Sequence, residues 1–370
     1  MEDTILLLGG AGRAGSVAAR LLLEHTDARI VIGGRSRERA AALATRLDRE
    51  FPDGRAEATA VDATDESSLC AALEGKRLLF DCGPTALFTE RLARTALSAG
   101  VDCIDIHPGR SLAVLRPLAA EIERAGRCFV TQAGLHPGLP STLMRYAAAQ
   151  VPGCDTVAGG MLFNIGAVEE PDSAVELIEE MAAYKSLLYR DGAWRRPSWT
   201  ESRRFDFGPG LGTRACYPMW GDELEGLPER LHLKEAGFYV AGFNWFVDWT
   251  VIPAALALGS LRRGLGARPL ARLMAFGIRR FGRSPFAIVI ALEAARGSGS
   301  ARRGARVVVR SEDDDGYRLT AVAAVACLKQ LLDGAITRPG LHLMGHLADP
   351  ARLVEDMRRM GIGVSTERPD

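Results

Sequence analysis

The chain has 370 residues, of which 47% are hydrophobic and 25% charged, and its 46 basic residues balance 46 acidic ones. That length suits two domains with full cores, and the ordinary composition excludes disordered, collagen-like and disulfide-scaffold classes. Zero net charge argues against a general nucleic-acid binder, which needs a basic excess to displace counterions. The seven cysteines are odd in number and scattered, with no CxxC pair and no zinc spacing, so no metal site is expected and a reducing, cytoplasmic setting fits. The start of the chain has no signal-peptide pattern, and no uncharged stretch reaches the ~20 residues of a membrane span.

The first third alternates short apolar runs at 4–8, 29–33, 57–61, 77–81, 102–106 and 127–131 with amphipathic stretches at 13–25, 37–51, 65–73, 86–98, 112–124 and 139–150. Runs that are apolar on both faces suit buried parallel strands. Their alternation with helices predicts an α/β fold: an N-terminal Rossmann-type doubly wound parallel sheet at 1–150.

The first strand-to-helix turn reads Gly9-Gly10-Ala11-Gly12-Arg13-Ala14-Gly15. It satisfies G-x-G-x-x-G from Gly10 and G-x-x-G-x-x-G from Gly9, so spacing leaves the subclass open. In either case glycines permit the tight turn, the approach of backbone to a pyrophosphate, and close packing of helix on strand. The expected cofactor-binding residues here are Gly10, Ala11, Gly12, Arg13, Ala14 and Gly15. At the tip of the second strand an NAD site places an acid to hold the ribose 2′-hydroxyl. This chain instead has Gly34-Arg35-Ser36-Arg37. A guanidinium at Arg35 can pair bidentately with a 2′-phosphate, Ser36 can cap the next helix and donate to the same group, and Arg37 adds positive charge. NADP is therefore the expected cofactor. Asp62, after the third strand, fits a position beside adenine or a turn carboxylate.

Beyond residue 150 the alternation stops. A strand is expected at 155–163 and a long helix at 172–188. A hairpin is expected from 286–294 and 306–310, with a polar tip at Gly297-Ser298-Gly299-Ser300. We expect a second, mixed α+β domain at 151–333 with an antiparallel sheet, and a C-terminal segment at 334–370 that packs back on the Rossmann domain. Residues 249–292 hold seven arginines and no acid. They read either as helices with a solvated basic face or as an interfacial or lid segment for a lipophilic or anionic partner.

Four stretches give the chain a likeness to a known family: GGAGRAG with the later IGGRSRERAAALA, VDATDESSL, FDCGPTALF with ALSAGVDCIDI, and QAGLHPGLPS. With them the chain resembles the saccharopine dehydrogenase-like NADP-binding oxidoreductases, well over residues 1–150, loosely from about Tyr317, and poorly between. The resemblance implies that Gly9 to Gly15 hold the pyrophosphate and that Arg35 and Ser36 hold the 2′-phosphate. It further implies that Cys82, Gly83 and Pro84 lie along the nicotinamide ribose, and that Asp105 to His107 and Gly134 to Gly138 line the nicotinamide pocket. It also implies a homodimer built through the second domain. The middle departs from the family's amino-acid-binding pattern, being rich in Phe, Trp, Leu and Ala.

Reduction needs a proton source beside the hydride donor. No tyrosine has a lysine four positions on, so a Tyr-x-x-x-Lys mechanism is not expected. His107 and His136, on strand-end loops, are the candidate proton donors. Asp105 is a candidate to orient His107, and Tyr184 is a candidate from the second domain. The leading expectation is an NADP(H)-dependent oxidoreductase acting on a C=N, C=O or activated C=C bond of a small, partly apolar metabolite. The alternatives are a lipid or polyketide reductase at a membrane surface, with peripheral membrane contact, and a non-catalytic NADP-binding sensor.

Overall fold

The computed structural model describes residues 3–167, 171–182, 184–198, 200–262, 264–297, 303–312 and 316–368, apart from the side chains of 171–173 and 176. The chain divides into two compact units, residues 1–139 with 317–360, and residues 140–316 with 361–370.

In the first unit the expected strands form as β1 (Thr4–Leu8), β2 (Arg29–Gly34), β3 (Ala56–Ala60), β4 (Leu78–Asp81), β5 (Asp102–Asp105) and β6 (Cys128–Thr131). All are parallel, in the order β3-β2-β1-β4-β5-β6, and a seventh strand, Gly340–Leu343, pairs parallel with β6. This is the doubly wound order of dinucleotide-binding sheets. The helices α1 (Arg13–His25), α2 (Arg37–Glu50), α3 (Glu66–Leu73) and α4 (Thr89–Ala99) follow the first four strands. The single helix expected at 112–124 is instead broken into Gly109–Leu115, a 3-10 turn at Arg116–Leu118, and Ala119–Arg124. Pro117 explains the break, because it lacks an N–H and its ring crowds the preceding turn.

The division also corrects the expected boundaries at 150 and 333. The helix Tyr317–Leu332, buried along nearly all of residues 319–331, packs against α1 in the first unit. A helix that is apolar all round belongs in a core, and each fully buried Leu or Val in it is worth ~1.5–3 kcal/mol. Arg77 reaches its last carbonyls, Leu331 O at 3.0 Å and Leu332 O at 3.2 Å, a favourable place for a cation. Conversely, the strand Gly363–Glu367 leaves the tail and joins the sheet of the second unit. Hydrophobic pattern told that these segments are buried, not against which partner.

The second unit is built on a mixed sheet. Its main path runs Arg203–Asp206, Thr213–Met219, Glu235–Val240, Thr156–Asn164, Ala287–Arg296, Arg303–Ser311, Gly363–Glu367. Glu235–Val240 and Thr156–Asn164 are parallel, and the other pairs on this path are antiparallel. Phe205, Phe207, Tyr239, Leu162 and Val289 fill its core. The hairpin Ala287–Arg296 with Arg303–Ser311 forms as expected, while residues 298–300 of its tip lie outside the described residues. The helix expected at 172–188 ends at Ala182, and Leu188–Arg190 is a strand. Asp191-Gly192, both at positive φ, turns that strand onto Ala193–Arg195, the two-residue hairpin that such a pair favours. Tyr189 and Trp194 then meet edge to face at 5.5 Å. Cross-strand packing thus overrides the local helical spacing.

Candidate functional site

The site of the first unit begins where β1 ends. Gly9 takes φ +76°, and a Cβ there would fall 2.4 Å from Gly83 Cα, on the loop after β4. A Cβ on Gly15 would fall 2.5 Å from Gly9 O and 2.7 Å from Gly10 Cα. Gly9 and Gly15 are therefore required by the protein's own packing, whereas a Cβ on Gly12 would meet only Gly9 O, at 3.1 Å. Backbone bonds hold the turn: Gly9 N donates to Gly33 O at 2.9 Å and Gly12 N to Gly9 O at 2.9 Å. Gly12 begins α1 with no side chain capping the helix. The leading N–H groups of a helix have no intrahelical acceptor, and an uncapped start offers them to an anion.

The tip of β2 completes this cradle. The space beside Gly34 is open, with no atom within 4 Å of a built Cβ. Ser36 caps α2 by accepting from Arg39 N at 3.2 Å, and Arg35, Ser36 and Arg37 are exposed. Asp62 accepts from Thr64 N and Thr64 Oγ1, both at 2.8 Å. Those bonds hold its carboxyl below the usual range, and the nearby charges of Arg35 and Arg91 act in the same direction. The turn-carboxylate reading of Asp62 is thus visible in its bonding. An uncapped helix start, an open strand tip and an exposed Arg-Ser pair with no acid in the tip itself fit a dinucleotide bearing a 2′-phosphate.

At the carboxyl ends of β4, β5 and β6 a polar network is buried. His107 Nε2 lies 2.9 Å from Asp81 Oδ2 and 3.1 Å from Thr85 Oγ1, and Thr85 Oγ1 donates to Asp81 Oδ2 at 2.6 Å. All three residues are buried. An ionised carboxylate only accepts, so the tautomer protonated on Nε2 fits this pairing. Asp105 accepts from His107 N at 2.9 Å and Thr131 Oγ1 at 2.9 Å, and burial raises its pKa. A small cavity of 30 Å³ borders Asp81, Thr89, Asp105 and His107, which is room for a water by the usual measure of ~10–15 Å³. His107 and Asp105 therefore sit in a structural network that ties three strand ends together. Cys82 turns its thiol to Leu8 O at 3.2 Å, and burial pushes its pKa up. Pro84 is exposed beside it.

His136 lies on the loop after β6, with its side chain exposed. Surrounding protein disfavours the imidazolium and lowers the pKa, but water reaches the ring and solvates the cation, so exposure weighs against that pull. Gln132, on the same loop, was not singled out from sequence. It is fully buried at φ +58°, and neither its amide oxygen nor its amide nitrogen has a partner among the described residues. Buried amides without a partner and residues at positive φ are features that cluster at functional sites. Asp81 and Thr85 were also missed. The signal for Asp81 was an acid closing the apolar run Leu78–Asp81. Tyr184 lies in the second unit, where its phenol donates to Pro218 O and burial raises its pKa. Among the described residues, no group of three or more His, Cys, Asp or Glu could hold a metal, and no helix is long and apolar enough to cross a membrane.

Comparison with known proteins agrees with this geometry. Residues 5–130 match the saccharopine dehydrogenase NADP binding domain, which supports NADP as the cofactor. Saccharopine dehydrogenase (L-Glu forming) from Saccharomyces cerevisiae shares the fold over the whole of both chains, with a TM-score of 0.70 at 15% identity. Pen from Bacillus thuringiensis aligns over 42% of this chain and 57% of its own, with a TM-score of 0.29 at 15% identity. A short-chain dehydrogenase/reductase from Veillonella parvula, solved with NADP, aligns over 28% of this chain and 47% of its own, with a TM-score of 0.24 at 21% identity. No curated protein matches the chain.

The two glycines that face each other across the cradle give an asymmetric prediction. Gly9→Ala should destabilise the chain by about 2–4 kcal/mol, combining overpacking with a left-handed backbone. Gly83→Ala, whose Cβ would lie 3.3 Å from Gly9 Cα, should change stability by less than about 1 kcal/mol. Denaturant unfolding of the two variants measures the difference.

Proposed function

We propose, from the premise that residues 5–130 form a saccharopine dehydrogenase NADP binding domain, that the chain is an NADP(H)-dependent oxidoreductase. In this reading it transfers hydride to or from a C=N, C=O or activated C=C bond of a small, partly apolar metabolite. The observation that carries the reading is the uncapped start of α1 set beside an acid-free β2 tip.

Bound NADP(H) supplies the hydride chemistry. The chain's own residues divide the remaining work. Gly10, Ala11, Gly12, Arg13, Ala14 and Gly15 present backbone and dipole to the diphosphate, and Arg35 with Ser36 and Arg37 meets the 2′-phosphate. Cys82, Gly83 and Pro84 form the wall that continues the cradle past β4. His136, exposed where His107 is not, is our assignment for the proton donor. His107, Asp81 and Asp105 are positioning residues that fix the loops after β4, β5 and β6. Tyr184 is our candidate for a substrate-binding group of the second unit, considered by itself, and the aromatic content of that unit supports an apolar substrate.

Two measurements test these assignments. Arg35→Ala should raise the Kd for NADPH by on the order of 10–100-fold, the worth of one or two charge-assisted bonds. The Kd for NADH should change less than about twofold. Equal effects would remove the 2′-phosphate assignment. With a substrate found by NADPH oxidation over a panel of imines, ketones and enones, His136→Asn should lower kcat by about 10²–10⁴-fold and leave the melting temperature unchanged. His107→Asn should instead lower the melting temperature, because it breaks the buried network. The reverse pattern would make His107 the donor.

A further inference from the structure

The second unit carries a surface that hydride transfer does not use. After a π-helical turn at Val247–Val251, the chain forms the helices Ile252–Leu261 and Ala267–Phe281. Large apolar side chains stand out of these helices and of the residues just before them: Trp249 and Leu261 are 78% and 77% exposed, Trp245 is 60% exposed, and Phe276 is 49% exposed. Isolated exposed apolar residues are ordinary, but a run of them is not. Trp245 packs on Phe281 at 4.9 Å, and Phe281 meets Phe276 at 6.3 Å. These rings join Trp245, ahead of the first helix, to the second helix.

That second helix is amphipathic. Leu270, Ala271, Met274 and Ile278 are buried, while Arg268, Arg272, Arg279 and Arg280 are exposed. Arg262 and Arg283 flank the helix and are exposed as well, and Arg263 lies outside the described residues. Several exposed arginines elsewhere pair with carboxylates, as in Arg20–Glu50, Arg94–Glu90 and Arg359–Glu355. Among the described residues, none of the six arginines from 262 to 283 does so. Arg280 instead lies over the ring of Phe281, at 5.5 Å.

Exposed indoles and leucines beside unpaired arginines are the pattern of a helix that lies in a lipid headgroup region. A second copy of the chain is a poor occupant. A two-fold contact sets a patch against itself, and among the described residues of 245–283 no acid is exposed to receive the arginines, since Asp248 is half-buried and accepts from Phe243 N at 2.8 Å. We propose that this face docks on an anionic lipid bilayer. Trp245, Trp249 and Leu261 enter the headgroup–acyl boundary, and the arginines of 262–283 meet lipid phosphates. The inference is independent of the reading of the dinucleotide site.

Sedimentation of the full chain with vesicles tests it. Vesicles of phosphatidylcholine and phosphatidylglycerol in equal parts should bind the chain at least about tenfold more tightly than phosphatidylcholine alone, and salt should weaken that binding. Tryptophan emission should shift to the blue on binding. Trp249→Ser and the triple variant Arg272→Glu, Arg279→Glu, Arg280→Glu should each lower the partition by about tenfold or more, with melting temperatures close to that of the parent. If the triple variant fails to fold, the salt dependence of the parent chain decides alone. Equal binding to both vesicle types, or no binding to either, would overturn the proposal. So would a concentration-dependent dimer that Trp249→Ser dissociates, which would assign the face to a second copy.

Discussion

A contact between two backbones, at Gly9 and Gly83, is the constraint on which the rest of this architecture depends. The Cβ that any other residue would carry at position 9 has no room, being 2.4 Å from Gly83 Cα. Because the contact is backbone to backbone, no side chain at position 9 fits between the loops that follow β1 and β4. β1 is also where the sheet order turns, with β2 on one side and β4 on the other. Ligands of open α/β sheets bind in the crevice at that point. The uncapped start of α1, the β2 tip with Arg35 and the carboxyl end of β4 all follow strands at or beside that point. The chemistry proposed for the chain follows from this placement rather than from any single reactive side chain.

Much of the first unit was legible in the sequence because its signals are local. Six apolar runs, the glycine turn and the missing acid at the β2 tip each lie within a few consecutive residues, and the strands formed where expected. What was not legible depends on contacts distant in sequence. Nothing near Tyr317–Leu332 says that it covers α1 rather than the second sheet, and nothing near Gly363 says that its strand pairs with Arg303–Ser311. The Asp191-Gly192 turn is a local signal, but the helical spacing before it points the other way. Pro117 is likewise a local signal, set within a stretch of helical spacing.

The candidate site divides along the same line. The cradle residues could be named from a motif because main-chain geometry and glycine placement define it. The roles of His107 and Asp105 could not, because both depend on partners from other strands. Asp81 and Thr131, 26 residues from His107 and Asp105 respectively, turn an apparent pocket histidine and its orienting acid into a buried brace. Gln132 gave no sequence signal at all. Its interest lies in a positive φ and an amide without a partner, properties of the fold alone. The basic segment shows the converse: its charge was plain from sequence, but only the structure shows that its arginines stand beside exposed indoles without carboxylates to pair with.

Hydrogen exchange with and without NADPH tests the central claim most directly. A diphosphate seated on the start of α1 should slow exchange of the amides at residues 10–16, and a 2′-phosphate on the β2 tip should slow those at 35–39, with little change elsewhere on the outer face of the sheet. Unchanged exchange in both segments at saturating NADPH, or protection confined to other parts of the chain, would contradict the account.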